Sequence, residues 1–195
     1  MQYIVPSIIR YNREKAVLYA AKWALKRNPK YYNFDKLGGD CTNFVSQVIF
    51  AGAGVMNYTP LYGWYYLNLQ KRTPSWTGVN YIYDFLTNNK GSGPFAEQVD
   101  AKDIIPGDIV QLSFDGAPNY NHSLVVVNKD SKSDLEKILI ATHSDDRYDY
   151  PLTNYGWLDI RFLHIIGIRQ NHINNWSTGV SKITYTVFRA QSLSI

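Results

Sequence analysis

The spacing of apolar residues changes character once along this chain, near Pro94, and that change limits the folds open to it. Before Pro94 the spacing is helical. Ala16, Tyr19, Ala20, Trp23 and Ala24 make one stripe, Phe44, Val45, Val48 and Ile49 a second, and Val79, Ile82, Tyr83 and Leu86 a third. After it come short runs rich in β-branched residues, at 108–112, 122–127, 138–143, 161–168 and 183–188. Helices first and antiparallel strands later is the signature of an α+β domain. At 195 residues the chain fits one domain spanning 1–195 with a sizeable core.

Local signals place the boundaries. Asn12 caps the first helix, Glu14 favours its dipole, and Asn28-Pro29 ends it. Gly52 and Gly54 supply the stop of the second helix. From 55 to 77 periodicity fails in a segment rich in Tyr and Trp and broken by Pro60, Gly63 and Pro74; loops of that length in compact domains are usually functional or mobile. Pro106-Gly107 turns the chain into a strand, and 128–136 reads as the polar loop of a hairpin.

Several function classes drop out on composition. The hydrophobic share of 45% and charged share of 18% are those of a globular protein. No apolar run is long enough to span a bilayer. The first residues lack a secretory leader, which makes the cytoplasm the default location, with a secreted or cell-wall protein as the alternative. The net charge of +4 comes from scattered Lys and Arg, so no nucleic-acid patch is expected. A single cysteine excludes an internal disulfide and a multi-cysteine zinc cluster.

That cysteine, Cys41, lies in Gly38-Gly39-Asp40-Cys41-Thr42-Asn43-Phe44-Val45-Ser46-Gln47. Asp40 is a favoured N-cap, which puts Cys41 in the first turn of a buried helix, where free N–H groups and the macrodipole ease ionisation of a thiol. The bland alternative is a buried cysteine acting as a small hydrophobe. A nucleophile needs a base, and His122 opens a strand at the sheet rim. His143 ends the returning strand of the same hairpin, which would bring it beside His122 as the group that orients the imidazole. Asp145 or Asp146, in the following loop, are alternative orienters. Cys41, His122 and His143 would also suit a metal, although no close-spaced ligand pair anchors one. The Cys41 N–H is a natural oxyanion donor, with Asn43, Gln47 or Tyr32 as candidates for a second. His164, within an apolar strand, and His172, in a polar turn, look structural or exposed. Aromatic residues make up 15% of the chain, and their flat faces and polar tips suit grooves for peptides or sugars. Trp64, Trp76 and Tyr32, with Asp145, are the expected substrate-binding residues.

Gly39-Asp40-Cys41-Thr42-Asn43-Phe44-Val45-Ser46-Gln47, then Pro106-Gly107-Asp108-Ile109-Val110, then Asn121-His122-Ser123-Leu124-Val125-Val126-Val127 form an ordered set. Together they resemble the bacterial putative amidase domain, which looks like a branch of the papain-like cysteine hydrolases that includes the CHAP and NlpC-type cell-wall peptidases. Tyr11 to Ala16, Ser75 to Gly78 and Thr142 to Asp145 also look like that domain, so the resemblance runs from about Tyr11 to Ile168. It implies a papain-like or NlpC-like α+β fold, with the nucleophile helix packed on a small antiparallel sheet. It implies Cys41 as nucleophile, His122 as general base and then acid, and, more loosely, His143 as third residue. The implied reaction is cofactor-free hydrolysis of an amide in peptide or peptidoglycan-like substrates. An acyltransferase using the same Cys–His site is one alternative, and a non-catalytic module gripping a glycan or peptide with the aromatic segment 58–76 is another.

Overall fold

The structure, a computed structural model, describes residues 2–130 and 135–175. Its elements follow the order β1 (Gln2–Ile9), α1 (Arg13–Trp23), α2 (Cys41–Ala53), α3 (Pro74–Thr77), α4 (Val79–Asn88), β2 (Gly93–Val99), β3 (Ile109–Ser113), β4 (His122–Lys129), β5 (Ile138–Thr142), β6 (Arg147–Pro151) and β7 (Asp159–Asn175). Among the described residues, four α-helices and a seven-stranded antiparallel sheet make it α+β. The strands run β1-β7-β3-β4-β5-β6, and β2 also pairs with β7.

The helices form where the apolar stripes lie, with adjusted ends. Asn12 does cap α1, accepting from the Lys15 N–H at 2.9 Å, but the helix closes at Ala24, before Asn28-Pro29. Gly54 ends α2 with φ +68°, a left-handed conformation glycine adopts without strain. Gly52 is not a stop. It lies inside α2 with the Tyr11 ring directly over it, where a methyl group would overlap, and its carbonyl accepts from the Asn12 N–H at 3.1 Å. Gly52 therefore sets how closely the start of α1 approaches α2.

The sheet departs further from expectation. β7 extends the 161–168 run in both directions to seventeen residues and puts His172 on a strand opposite Val5, not in a turn. β1, β2 and β6 arise in segments without a clear alternating pattern, while the expected strand 183–188 lies outside the described residues. The run 122–127 is buried on both faces, which is why it reads as continuously apolar. Val125 and Val127 meet Phe44, Val45, Val48 and Ile49 of α2 on one face. Leu124 and Val126 meet Leu112, Ile140, Leu152 and Ile104 on the other.

A buried carboxylate pins the frame. Asp108, after the Pro106-Gly107 turn, accepts from Arg13 at 2.6 Å and the Ile165 N–H at 2.9 Å through Oδ1. Its Oδ2 accepts from the Ile105 N–H at 2.9 Å and pairs with His164 Nδ1 at 2.8 Å. The Pro-Gly-Asp motif thus ties α1, β3 and β7 together, and His164 has a structural role there.

Candidate active site

Cys41 begins α2 and is buried, with its sulfur 3.8 Å from Thr42 Oγ1. The Thr42 hydroxyl lies 3.1 Å from Ser123 Oγ, so the helix start is fastened to the opening of β4 beside His122. Ser123 pairs with Gln111 of β3 but on the other side lies beyond the last paired residues of β4 and β5, Val125 and Ala141. Its carbonyl accepts from Thr142 Oγ1 at 2.9 Å, and its main chain hydrogen-bonds the Cys41 sulfur in a way that favours the thiolate. Among the described residues, no direct hydrogen bond joins Cys41 and His122 in this resting geometry. Catalytic contacts of that kind often tighten only when substrate binds.

Burial decides the charge state of both groups. The Cys41 thiol is pushed up from its usual 9.0, chiefly by burial and slightly by the Asp40 charge, against the pull of Ser123 and Thr42. The eased ionisation expected of a helix start is therefore outweighed. His122 is lowered to about 4 by burial, with Asp145 pulling weakly the other way. At neutral pH the resting pair is a neutral thiol and a neutral imidazole, not a preformed ion pair.

His122 Nε2 faces Thr142 Oγ1 at 3.5 Å, the outer limit of a hydrogen bond. The Thr142 proton is directed to the Ser123 carbonyl at 2.9 Å or the His143 carbonyl at 3.1 Å, so its oxygen accepts from Nε2–H. That tautomer leaves Nδ1 as the basic nitrogen. The His122 ring lies between Phe114 and Tyr155, with centroids 6.1 and 5.6 Å away. The Tyr155 hydroxyl is buried, has no hydrogen-bond partner, and feels the Cys41 charge; burial first, then Asp145, pushes it up to about 12.

The structure does not bring His143 to His122. His143 Nδ1 pairs with Asp40 Oδ2 at 2.6 Å, Nε2 donates to the Trp23 carbonyl at 2.8 Å, and the ring stacks on Phe44 at 4.1 Å. Adjacent strand residues point to opposite faces, so the side chain that reaches His122 from this strand is Thr142, and His143 turns toward the helices. With both nitrogens engaged there, His143 also leaves the common metal sphere considered with Cys41 and His122. Of the two acids, Asp145 acts on His122 by charge while pairing with Arg147 at 2.9 Å, and Asp146 clamps Arg27 at 2.8 Å.

The remaining expectations divide by burial. Trp64 and Trp76 are fully buried, donating to Ser46 Oγ at 3.0 Å and Asn43 Oδ1 at 2.9 Å, so they are core rather than groove. Asn43 is further spent on the Tyr32 carbonyl and Asp40, which removes it as an obvious oxyanion donor, while Gln47 accepts from Tyr19 through its amide oxygen. Tyr32 stays exposed. Asp40 closes α2 through its carbonyl, which accepts from the Phe44 N–H, while its side chain turns inward instead of capping. A cavity of about 580 Å³ lined by Asn57, Tyr62, Tyr81, Asp84 and Asn88 among others does not include Cys41 or His122. Thr142 lies in the stretch that resembles the amidase domain but has no role assigned by it, and Tyr155 lies in no motif; the contacts of Thr142 with His122 and of the Tyr155 ring with His122 single them out.

Among the described residues no helix is long and apolar enough to cross a membrane. No solved structure matches the chain. It is 34% identical over 142 residues to uncharacterized protein YhbB of Bacillus subtilis (strain 168), covering 72% of this chain and 44% of that protein. The chain thus spans less than half the length of this curated relative. The family model described as Putative amidase domain matches residues 10–166, a span that contains Cys41, His122 and Tyr155, and the chain belongs to that family.

Proposed function

We propose that this chain is a cysteine amidase or peptidase of papain-like type, akin to the CHAP and NlpC-type enzymes, acting on peptide amides such as those of peptidoglycan. The observation that carries this reading is the fastening of the Cys41 helix start to the opening of β4 through Thr42 and Ser123, one residue from His122. Cys41 Sγ attacks the amide carbonyl as His122 Nδ1 takes the thiol proton. His122 returns that proton to the leaving nitrogen as the C–N bond breaks, leaving a thioester. Water then adds to the thioester, giving its proton to His122; the acid departs and the thiol is restored.

The pH profile tests the base. A free-enzyme base at about 4 keeps His122 neutral and competent well below the ordinary imidazole value of 6.5, so the acid limb of kcat/KM on a non-titrating peptide anilide should fall near pH 4. His122→Ala should remove most turnover, by on the order of a thousandfold. An acid limb near 6.5, or near-normal turnover in His122→Ala, contradicts the assignment. Mass spectrometry of peptides released from purified peptidoglycan, with and without added amines, tests the substrate class and separates hydrolysis from acyl transfer.

The Tyr155 hydroxyl fits the role of second oxyanion donor beside the Cys41 N–H, because a buried donor without a partner gains most from an acyl oxygen. Tyr155→Phe keeps the ring against His122 and should lower kcat roughly a hundredfold with KM little changed. A kcat within threefold of wild type, on the scale of ~10²-fold for such donors, removes Tyr155 from that role.

A further inference from the structure

Ser123 and Thr42 are the visible end of a longer buried chain that runs from β7 to the sulfur. Arg161 on β7 donates from Nε to Gln111 Oε1 at 2.7 Å. Gln111, buried on β3, donates from Nε2 to the Val79 carbonyl at 2.8 Å and to Ser123 Oγ at 3.2 Å. Ser123 Oγ lies 3.1 Å from Thr42 Oγ1, and Thr42 Oγ1 lies 3.8 Å from Cys41 Sγ. Gln111, Ser123 and Thr42 are all fully buried, so no surrounding water offers them other partners.

The direction of the bonds as far as Ser123 is forced by the guanidinium at one end and the Val79 carbonyl. A guanidinium only donates, so Gln111 must present its oxygen to Arg161. A carbonyl only accepts, so the amide nitrogen must face Val79; both contacts fix the same amide orientation, which a flip would spoil twice. Ser123 Oγ therefore receives a proton from Gln111, and donation of its own proton to Thr42 Oγ1 continues the same sense. Thr42 Oγ1 is then an acceptor on that side, and its proton is free to face the sulfur. Arg161 is itself held in place, with its guanidinium between the rings of Tyr83 and Tyr120 at 3.7 and 3.8 Å and Nη2 on Asn80 at 2.9 Å.

We propose that Arg161, Gln111, Ser123 and Thr42 form a one-way hydrogen-bond relay that aims the Thr42 hydroxyl at Cys41 Sγ and stabilises its thiolate. This rests on Cys41 being the nucleophile. Thr42 touches the reacting atom; Ser123, Gln111 and Arg161 are positioning residues acting through it. Successive donors in a water-free interior polarise one another, so the cation at the far end strengthens the last bond. The relay answers the burial that works against ionisation. The other groups bearing on the sulfur are Asp40 before α2, which opposes the thiolate, and Tyr155, whose ring lies against His122.

The test is the alkylation rate of Cys41 by iodoacetamide as a function of pH in the full chain. It reads the thiolate directly and needs no substrate. Thr42→Val, nearly isosteric, should move the midpoint up by about one pH unit and slow alkylation at pH 8 about tenfold, in line with the loss of one hydrogen bond to an ion. Thr42→Ser should restore the wild-type profile, and Ser123→Ala should fall between them. A Thr42→Val profile coincident with wild type, or a Thr42→Ser profile shifted equally, overturns the relay. If Thr42→Val does not fold, Ser123→Ala decides: an unshifted profile there overturns it equally. A relay that fails while Cys41→Ala is inactive leaves the proposed hydrolase standing, whereas normal hydrolysis by Cys41→Ala defeats that reading whatever the alkylation profiles show.

Discussion

Cys41→Ala is expected to lower amide hydrolysis by on the order of a thousandfold or more while the protein stays folded. The two readings of a lone buried cysteine separate on this variant. As a small core hydrophobe, Cys41 would contribute packing, and losing one sulfur would cost stability and leave turnover alone. As the nucleophile it contributes the bond-forming atom, and alanine offers none. The environment supports the second reading. The sulfur meets the Thr42 hydroxyl and the Ser123 main chain, a polar setting for an inert filler. Cys41→Ser places an oxygen there, which His122 must deprotonate at much greater cost, so it should be nearly as inactive. The measurements are turnover of a peptide anilide and urea unfolding on the same preparations. Turnover within a few-fold of wild type in Cys41→Ala would leave only the packing role.

The parts of this site that could be read in the sequence are those set by local rules. The Cys41 helix start follows from the glycines, Asp40 and the 3.6-residue stripe, and Gly54 does stop that helix. His122 at a strand opening follows from the turn before it and the apolar run after it. What stayed hidden depends on register and on faces. β4 and β5 carry an irregularity between Val126 and Asn128, and β5 and β6 another between Ile140 and Thr142. One residue of slip exchanges Thr142 and His143 between faces, and no single-strand pattern predicts it. Hence the titratable residue was the natural candidate to orient His122, and the hydroxyl before it is the one that reaches the ring. Trp64 and Trp76 illustrate a second limit. A loop rich in aromatics suggests a groove, but here the loop folds inward and the tryptophans hydrogen-bond α2 from the core. Burial of that kind is a property of the assembled fold. Arg27, next to Lys26, and Arg161, a lone basic residue in its strand, become parts of the frame only when distant acids and aromatic rings close on them.

Asp40→Ala should cost about 3–5 kcal/mol of stability, the scale for removing one partner from a buried charged pair. For a domain with a typical total of about 5–15 kcal/mol, that is a large share. The reason is the number of donors the carboxylate satisfies. Oδ1 accepts from the Phe34 N–H and from Asn43 Nδ2, both at 2.9 Å. Oδ2 meets His143 Nδ1 at 2.6 Å, with Arg27 Nε 3.2 Å away as an ion pair short of hydrogen-bond alignment. Arg27 retains Asp35 and Asp146, but His143 is buried with no other partner for Nδ1. Asp40→Asn keeps the shape and the Oδ1 contacts, and its amide can donate to a neutral His143, so its loss should be nearer 1–3 kcal/mol. The same variant should make Cys41 more reactive, because the Asp40 charge raises the thiol and its removal leaves more thiolate at a given pH. Urea unfolding and iodoacetamide alkylation of Asp40→Asn should therefore move in opposite senses, a less stable protein with a faster thiol. Unchanged stability in Asp40→Ala would show that the carboxylate is not the anchor of the Cys41 helix, and a slower thiol in Asp40→Asn would show that its position, more than its charge, governs the sulfur.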